Sequence, residues 1–323
     1  MFTLKQLRYF AAVARHRHFG RAAAECHVSQ PALSLQIQEL ERFLGTQLIE
    51  RRRNAIALTE AGHDIAERAN RILIEATDLI DHARHRPKLL TGRLELGVIP
   101  SIAPYLLPAT LPRLQESYPA LDIGLRETQT ATLLDDLVDG RLDVALLSLP
   151  IERPGLETLH LFDDAFLLAL PALPGGDGLA LTPEAALAGE NLLLLEEGHC
   201  LRDQALSFCG PARPGSRRQY GASSLSTIMQ MVANGFGTTL LPAMALPIEF
   251  RPDMPVRLYR FAPPGPSRSI GLAWRRTSAR KGDFQALGRM LAEIGRSLTE
   301  ARENGPPIEN EALRLTSPQR LAS

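Results

Sequence analysis

Between Thr59 and Arg86 the chain has no proline, and its only glycine is Gly62, in what would be the first turn of a helix. Within that stretch Ile65, Ala69, Ile72, Ala76, Leu79 and Ala83 recur at alternating intervals of four and three. This is the period of a helix seam that packs on another helix. A single helix of this length with a narrow apolar stripe needs a partner, and a second copy of the chain is the simplest one. The stretch therefore predicts a long dimerisation helix, closed by Pro87, that splits the chain into an N-terminal and a C-terminal part. The alternative is that the stripe packs on its own chain.

The N-terminal part has helical texture. Residues 4–16 place Leu4, Leu7, Phe10, Ala11 and Ala14 on one face, and a short second helix is expected from about Arg21 to Cys26. In His27-Val28-Ser29-Gln30-Pro31, Ser29 or Gln30 can cap a third helix and Pro31 suits its first turn. That helix buries Leu33, Ile37, Leu40 and Leu44 and turns Pro31, Ser34, Leu35, Gln38 and Arg42 outward. Two short helices joined by a tight turn form a helix-turn-helix, whose small polar residues reach base edges and whose Arg42 reaches a phosphate. Leu48–Thr59 reads as a hairpin with Arg51, Arg52, Arg53 and Asn54 at its tip, a wing that would grip phosphates or enter a minor groove. Residues 1–58 carry nine Lys or Arg against four Glu, while the whole chain has a formal net charge of zero. A basic end on a neutral chain points to nucleic acid.

From Arg93 strands alternate with helices. Strands are expected at 94–99, 121–125, 144–149, 165–170, 192–195 and 238–241, with helices such as 104–116 and 131–138 between them. The alternation predicts a mainly parallel α/β sheet. No signal-like segment or apolar run of about 18 residues is present, so a soluble cytoplasmic protein without a membrane association is expected. The tail from about Asn304 lacks apolar periodicity and is expected to be loosely ordered.

The chemistry gathers at Gly198-His199-Cys200-Leu201-Arg202-Asp203-Gln204-Ala205-Leu206-Ser207-Phe208-Cys209. An apolar run precedes it, and Leu201, Ala205 and Phe208 share one helical face. Cys200 falls at the helix N-terminus beside His199 and Arg202, a setting that favours a thiolate. Nine helical steps separate the two sulfurs by roughly 13–14 Å, whereas a disulfide needs Cα atoms within about 7 Å. A helix cannot carry this bond; forming it requires the segment to refold. Two other readings stand beside this one: buried apolar cysteines, and a metal site of His199, Cys200 and Cys209, which has no paired C-x-x-C and no evident fourth ligand. Cys26, among alanines, reads as core.

Glu197-Gly-His-Cys-Leu-Arg-Asp-Gln204 with Phe208-Cys209 resembles the redox centre of the hydrogen peroxide-sensing, OxyR-type branch of the LysR-type transcriptional regulators. Ser29-Gln-Pro-Ala-Leu-Ser34, Gln36-Ile37 and Leu40-Glu41 resemble the family's recognition helix, and Thr59-Glu-Ala-Gly62 its entry to the linker helix; Leu35 stands where many members carry Arg or Gly. Asn234-Gly-Phe-Gly-Thr-Thr-Leu-Leu-Pro242 resembles a late Gly-rich turn and strand. The resemblance implies a winged helix-turn-helix at 1–58 and a linker and hinge at 59–90. It implies a two-lobed, periplasmic-binding-protein-like α/β regulatory domain at 91–302, with lobe I near 92–166 and 268–300 and lobe II near 167–267, and a tail at 303–323. It implies that Cys200 is oxidised by peroxide and resolved by Cys209. Thr130, His199, Arg268, Asp203 and Ser101 would support the site; Ser101 stands where the family usually has threonine and keeps the hydroxyl. It further implies a non-enzymatic activator without cofactor or metal. Its partners would be a two-fold DNA operator, its own copies as a homodimer or dimer of dimers (a homotetramer), RNA polymerase and a thiol reductant system. Competing readings are a regulator switched by a small metabolite between the lobes, a thiol peroxidase, and a solute-binding protein.

Overall fold

The computed structural model describes residues 1–52, 55–83, 89–172, 192–209, 221–261, 265–300 and 309–313. The chain divides into two compact units, Met1–Pro87 with Thr277–Arg280, and Lys88–Arg276 with Lys281–Ser323.

The first unit opens with α1 (Leu4–His16), α2 (Phe19–Glu25) and α3 (Gln30–Leu44), followed by β1 (Ile49–Arg52), β2 (Ala55–Leu58) and α4 (Glu60–Ala83). Thr3 and Gln6 form a capping box on α1. α2 starts two residues earlier than its apolar pattern predicts because the His18 ring caps it: Nδ1 accepts the N–H groups of Gly20 at 3.1 Å and Arg21 at 3.3 Å. Ser29, not Gln30, caps α3, accepting the Ala32 N–H, with proline in its first turn. Leu7, Phe10, Val13, Ala22, Leu33, Ile37 and Leu40 make the core, and Cys26 is a buried free thiol at its margin. Leu4, expected on the buried face, is exposed.

The wing is tied to α3 by Glu41, whose carboxylate accepts the Leu48 and Ile49 N–H groups at 2.8 and 3.1 Å. Its strands pair from Ile49↔Leu58 to Arg52↔Ala55. Arg51 and Arg52 therefore belong to a strand and not to the tip; Arg53 and Asn54 lie outside the described residues. Thr59 Oγ1 accepts the Gly62 N–H at 2.9 Å. A methyl group at Gly62 would run into the Leu48 carbonyl oxygen, so this first-turn glycine is needed for α4 to leave the wing closely.

The α4 stripe splits between the two expectations. Ala69 is buried in the unit's own core, with Ile65, Ala66 and Leu73 packed against it. Further along, Ile72, Leu79 and Ile80 are 39%, 69% and 47% exposed. Ala76 is half-buried, and the Ala83 side chain lies outside the described residues.

The second unit runs β3 (Gly92–Val98), α5 (Ala103–Ser117), β4 (Leu121–Glu127), α6 (Thr130–Val138), β5 (Val144–Leu149), β6 (Leu156–Pro171), β7 (Leu194–Leu195), α7 (Cys200–Cys209), β8 (Gly221–Ala222), α8 (Leu225–Ala233) and β9 (Thr239–Pro242). A 3₁₀ turn then leads into α9 (Leu246–Glu249), β10 (Val256–Phe261), β11 (Ser267–Arg275), α10 (Lys281–Glu300) and β12 (Glu309–Leu313). β3 pairs in parallel with β4 and β5, as βαβ connections require. β7 and β8 also pair in parallel, but the long central strands depart from the expected parallel sheet: β11 lies antiparallel to β5 and β6, and β6 antiparallel to β9 and β10.

The cause is β6, a strand of 16 residues. Its first part, Leu156–Ala165, pairs with β11, and from Phe166 onward it pairs with β9 and β10. One long strand thus serves two sheet halves, and the chain returns along it through β11. In the tail, β12 adds in parallel to β10 through Tyr259↔Glu309 and Phe261↔Leu313, where no periodic structure was expected. The rest of the tail lies outside the described residues.

Candidate redox centre and DNA-facing surface

α7 begins at Cys200, directly after a turn in which Gly198 has φ +92°, a conformation that favours glycine, with the amide end of the Gln129 side chain where a Cβ would stand. Gln129 Nε2 donates to the Glu197 carbonyl at 3.4 Å, tying this turn to the start of α6. Leu201 and Ala205 seat the helix in the core, and the Phe208 ring meets Phe166 edge-on at 6.0 Å although Phe208 itself is exposed. Arg202 does not face the sulfur; its guanidinium donates to the Leu195 carbonyl. Gln204 Nε2 donates to Ser148 Oγ on β5 at 2.6 Å. Cys200 is a free, half-buried thiol. Cys209 ends the helix, and its side chain lies outside the described residues.

The sulfur's surroundings come from three other elements. Ser101 lies in the turn after β3, Thr130 in the first turn of α6, and Arg268 on β11. Arg268 Nη1 donates to Ser101 Oγ at 2.9 Å and Nη2 to the Ser101 carbonyl at 3.0 Å. The Thr130 hydroxyl oxygen is fully buried and completes no hydrogen bond, yet stands near enough to the sulfur to favour a thiolate. Burial outweighs these groups: it pushes the Cys200 thiol above its ordinary value, against the Arg268 charge, the Thr130 and Ser101 hydroxyls and the Leu201 N–H. The pull toward a thiolate expected from the helix N-terminus is thus opposed by burial. His199 is buried beside the cysteine in sequence. Asp203 is exposed and makes no side-chain hydrogen bond or ion pair among the described residues, so nothing described ties it to the reduced form. No described group of three His, Cys, Asp or Glu side chains could hold a metal ion.

Three residues of this region were not singled out in the sequence. Asp164, fully buried, accepts from Arg268 Nε at 3.0 Å and from the Met244 N–H at 2.9 Å. The signal was an acidic residue at the edge of the apolar run 165–170. Ser148 carried no signal in sequence. Tyr105 donates its hydroxyl to Glu249 at 2.7 Å, joining α5 to α9.

On the first unit, Ser29, Gln30, Pro31, Gln38 and Arg42 are exposed along α3, with Ser34 half-buried between them. Together they make one outward face of α3, in which Ser29, Pro31 and Ser34 are followed by the longer Gln38 and Arg42. The Arg51 and Arg52 side chains lie outside the described residues. No described helix is long and apolar enough to cross a membrane.

Residues 4–63 match the helix-turn-helix model of bacterial regulators of the lysR family, and residues 87–296 match the LysR substrate binding domain. A probable hydrogen peroxide-inducible genes activator of Streptomyces viridosporus is 46% identical, covering 92% of this chain and 95% of its own. The DNA-binding transcriptional dual regulator OxyR of Escherichia coli K12 is 41% identical over 89% of this chain and 94% of its own. A full-length OxyR of Pseudomonas aeruginosa superposes with a TM-score of 0.74 at 34% identity, covering 90% of this chain and 98% of that one. With the winged helix-turn-helix, the long α4 and the two-part α/β unit in place, the chain belongs to the LysR family of bacterial regulators and is closely related to OxyR.

Proposed function

We propose that the protein is a DNA-binding transcriptional regulator that senses hydrogen peroxide at Cys200 and controls oxidative-stress defence genes, switching through a Cys200–Cys209 disulfide. The observation that carries the reading is a free Cys200 thiol at the head of a ten-residue helix whose other end is Cys209. The unsatisfied Thr130 hydroxyl and the Arg268-anchored Ser101 beside it offer donors and acceptors to a small polar ligand.

The chemistry balances without a cofactor. The sulfur attacks one peroxide oxygen and the O–O bond breaks. The thiol proton goes to the departing oxygen, which leaves as water, and Cys200 becomes a sulfenic acid. Cys209 then displaces its hydroxyl as a second water, closing the disulfide. Because α7 cannot span that bond, it unwinds, and the anchoring of Leu201, Ala205 and Phe208 is lost. One peroxide is consumed per switch, so the protein signals and does not turn over; a thiol reductant system resets it.

Residues 1–58 read as the DNA-binding domain, 59–90 as linker and hinge, and 91–302 as the sensing domain with lobes meeting near 166 and 268. Ser29, Gln30, Pro31, Ser34, Gln38 and Arg42 would enter the major groove, with Arg51, Arg52 and Arg53 on phosphates. The exposed Ile72 and Leu79 support self-association through α4 as a dimer, or a dimer of dimers on a two-fold operator, from which RNA polymerase is engaged. A brief, near-stoichiometric peroxide dose followed by mass spectrometry and footprinting tests the reading. A Cys200–Cys209 link appearing together with a changed footprint is expected. A footprint that changes equally in Cys200→Ser would favour a metabolite-switched regulator, and sustained peroxide turnover a thiol peroxidase.

A further inference from the structure

Asp164 and Arg268 form an ion pair with both side chains fully enclosed, Oδ2 to Nη2 at 3.0 Å. The carboxylate is held from its other side, since Oδ1 accepts the Met244 N–H at 2.9 Å. The guanidinium has its remaining contacts on Ser101 Oγ, the Ser101 carbonyl and Met244 Sδ, the last at 3.3 Å. A planar fork held along its Nε edge by a carboxylate keeps its remaining donors in one fixed plane. Here Nη1 and Nη2 both reach the Ser101 loop in that plane. We propose that Asp164 is a positioning residue of the sensor: it holds the Arg268 guanidinium on Ser101 and, by pairing its charge, limits the positive field that reaches Cys200.

The groups facing the sulfur are Arg268 from β11, Thr130 from α6, Ser101 from the β3–α5 turn and the Leu201 N–H of α7. Arg268 supplies the charge, so a change at Asp164 reaches Cys200 through it. The inference rests on Cys200 being the sensing sulfur, and iodoacetamide reads its thiolate whether or not peroxide is the signal. A failure of Cys200 to oxidise would therefore count against the proposed function and leave this test standing.

The test is the pH profile of Cys200 alkylation by iodoacetamide in the reduced full-length protein, followed by mass spectrometry. Asp164→Asn unpairs the cation, and its profile is expected to move to lower pH by about half a unit, roughly a threefold faster alkylation below the midpoint. An unmoved or upward-shifted midpoint would overturn the proposal. Should the unpaired cation prevent folding, the Asp164→Asn, Arg268→Gln double variant, which removes both charges at once, still decides: if the pair presents little net field to the sulfur, its midpoint stays within about half a unit of the parent. A midpoint raised further would mean that Arg268 acts on Cys200 unrestrained by Asp164.

Discussion

Replacing Ser148 by alanine tests whether α7 is the element the redox switch takes apart. In the reduced fold Gln204 Nε2 donates to Ser148 Oγ at 2.6 Å, and Ser148 Oγ donates onward to the Ser269 carbonyl at 3.2 Å. Gln204 sits inside α7; Ser148 sits on β5, outside the segment that would refold. The other end of the amide, Gln204 Oε1, is already buried without a partner. Ser148→Ala thus leaves the whole Gln204 amide unsatisfied in the reduced state. Losing the bond costs about 1 kcal/mol, and the desolvated donor brings the figure to about 1–2 kcal/mol.

The same substitution costs the oxidised state less. Once the disulfide has dismantled α7, Gln204 is free to return to water, while the Ser148–Ser269 bond is lost in both states and cancels. The penalty falls on the dithiol form, so the Cys200–Cys209 couple becomes harder to reduce. A difference of about 1.4 kcal/mol makes its potential about 30 mV more negative. Glutathione redox buffers with thiol-trapping mass spectrometry measure this, and Ser148→Thr, which keeps the hydroxyl, should stay near the parent value. A potential that is unchanged or more positive in Ser148→Ala would mean that Gln204 keeps its surroundings on oxidation. The helix would then not be what unwinds.

Burial raises the Cys200 thiol above its ordinary value of 9.0, so the folded reduced protein holds that proton more tightly than the unfolded chain does. Its stability should therefore fall as the pH rises past 9.0 toward the raised value; denaturant midpoints across that range should show the slope, and Cys200→Ser should lessen it, leaving the part due to the Cys26 thiol, which burial also raises. Leu79→Glu alters a residue that is 69% exposed, so each subunit should fold normally while sedimentation shows self-association weakened by about tenfold or more. Unaltered association would remove α4 as the interface. Gly62→Ala drives a methyl into the Leu48 carbonyl and should cost the first unit about 1–3 kcal/mol in thermal unfolding, where a neutral result would show that α4 can move off the wing freely.

The N-terminal unit was legible because its signals are local. Ser29 and Pro31 mark the start of α3, and the spacing of Leu33, Ile37 and Leu40 marks its buried face. α2 begins two residues before its apolar pattern because a histidine is an uncommon cap and its ring acts only through geometry. The Thr59-Glu-Ala-Gly62 motif was visible; that its glycine clears the Leu48 carbonyl was not, since the two meet only once the wing is folded. In the second unit, periodicity located β3, β4 and β5 but gave no strand direction. The long antiparallel pairing of β6 with β11 depends on residues about a hundred positions apart, such as Arg268↔Asp164. The first part of β6 alternates polar and apolar residues around His160 and Asp163, which hid it beside the plainly apolar 165–170.

The redox centre shows most clearly what local reading leaves out. From sequence, a cysteine at a helix N-terminus between His199 and Arg202 should be ionised. In the fold Arg202 is spent on the Leu195 carbonyl, and the cation that does face the sulfur, Arg268, is paired with Asp164. Both facts remove positive charge from Cys200, and burial then decides the sign. The consequence is functional. A thiol kept protonated is a poor nucleophile toward bulk electrophiles, so its reactivity depends on a reagent small enough to enter and bring its own hydrogen-bonding groups. Peroxide meets that condition: it can hydrogen-bond beside the sulfur at one oxygen while the other takes the thiol proton and leaves as water. The groups placed to draw the thiol toward its charged form are Arg268, Thr130 and Ser101, and burial works against all three, so a ligand that changes the hydration of this site changes the balance at the sulfur.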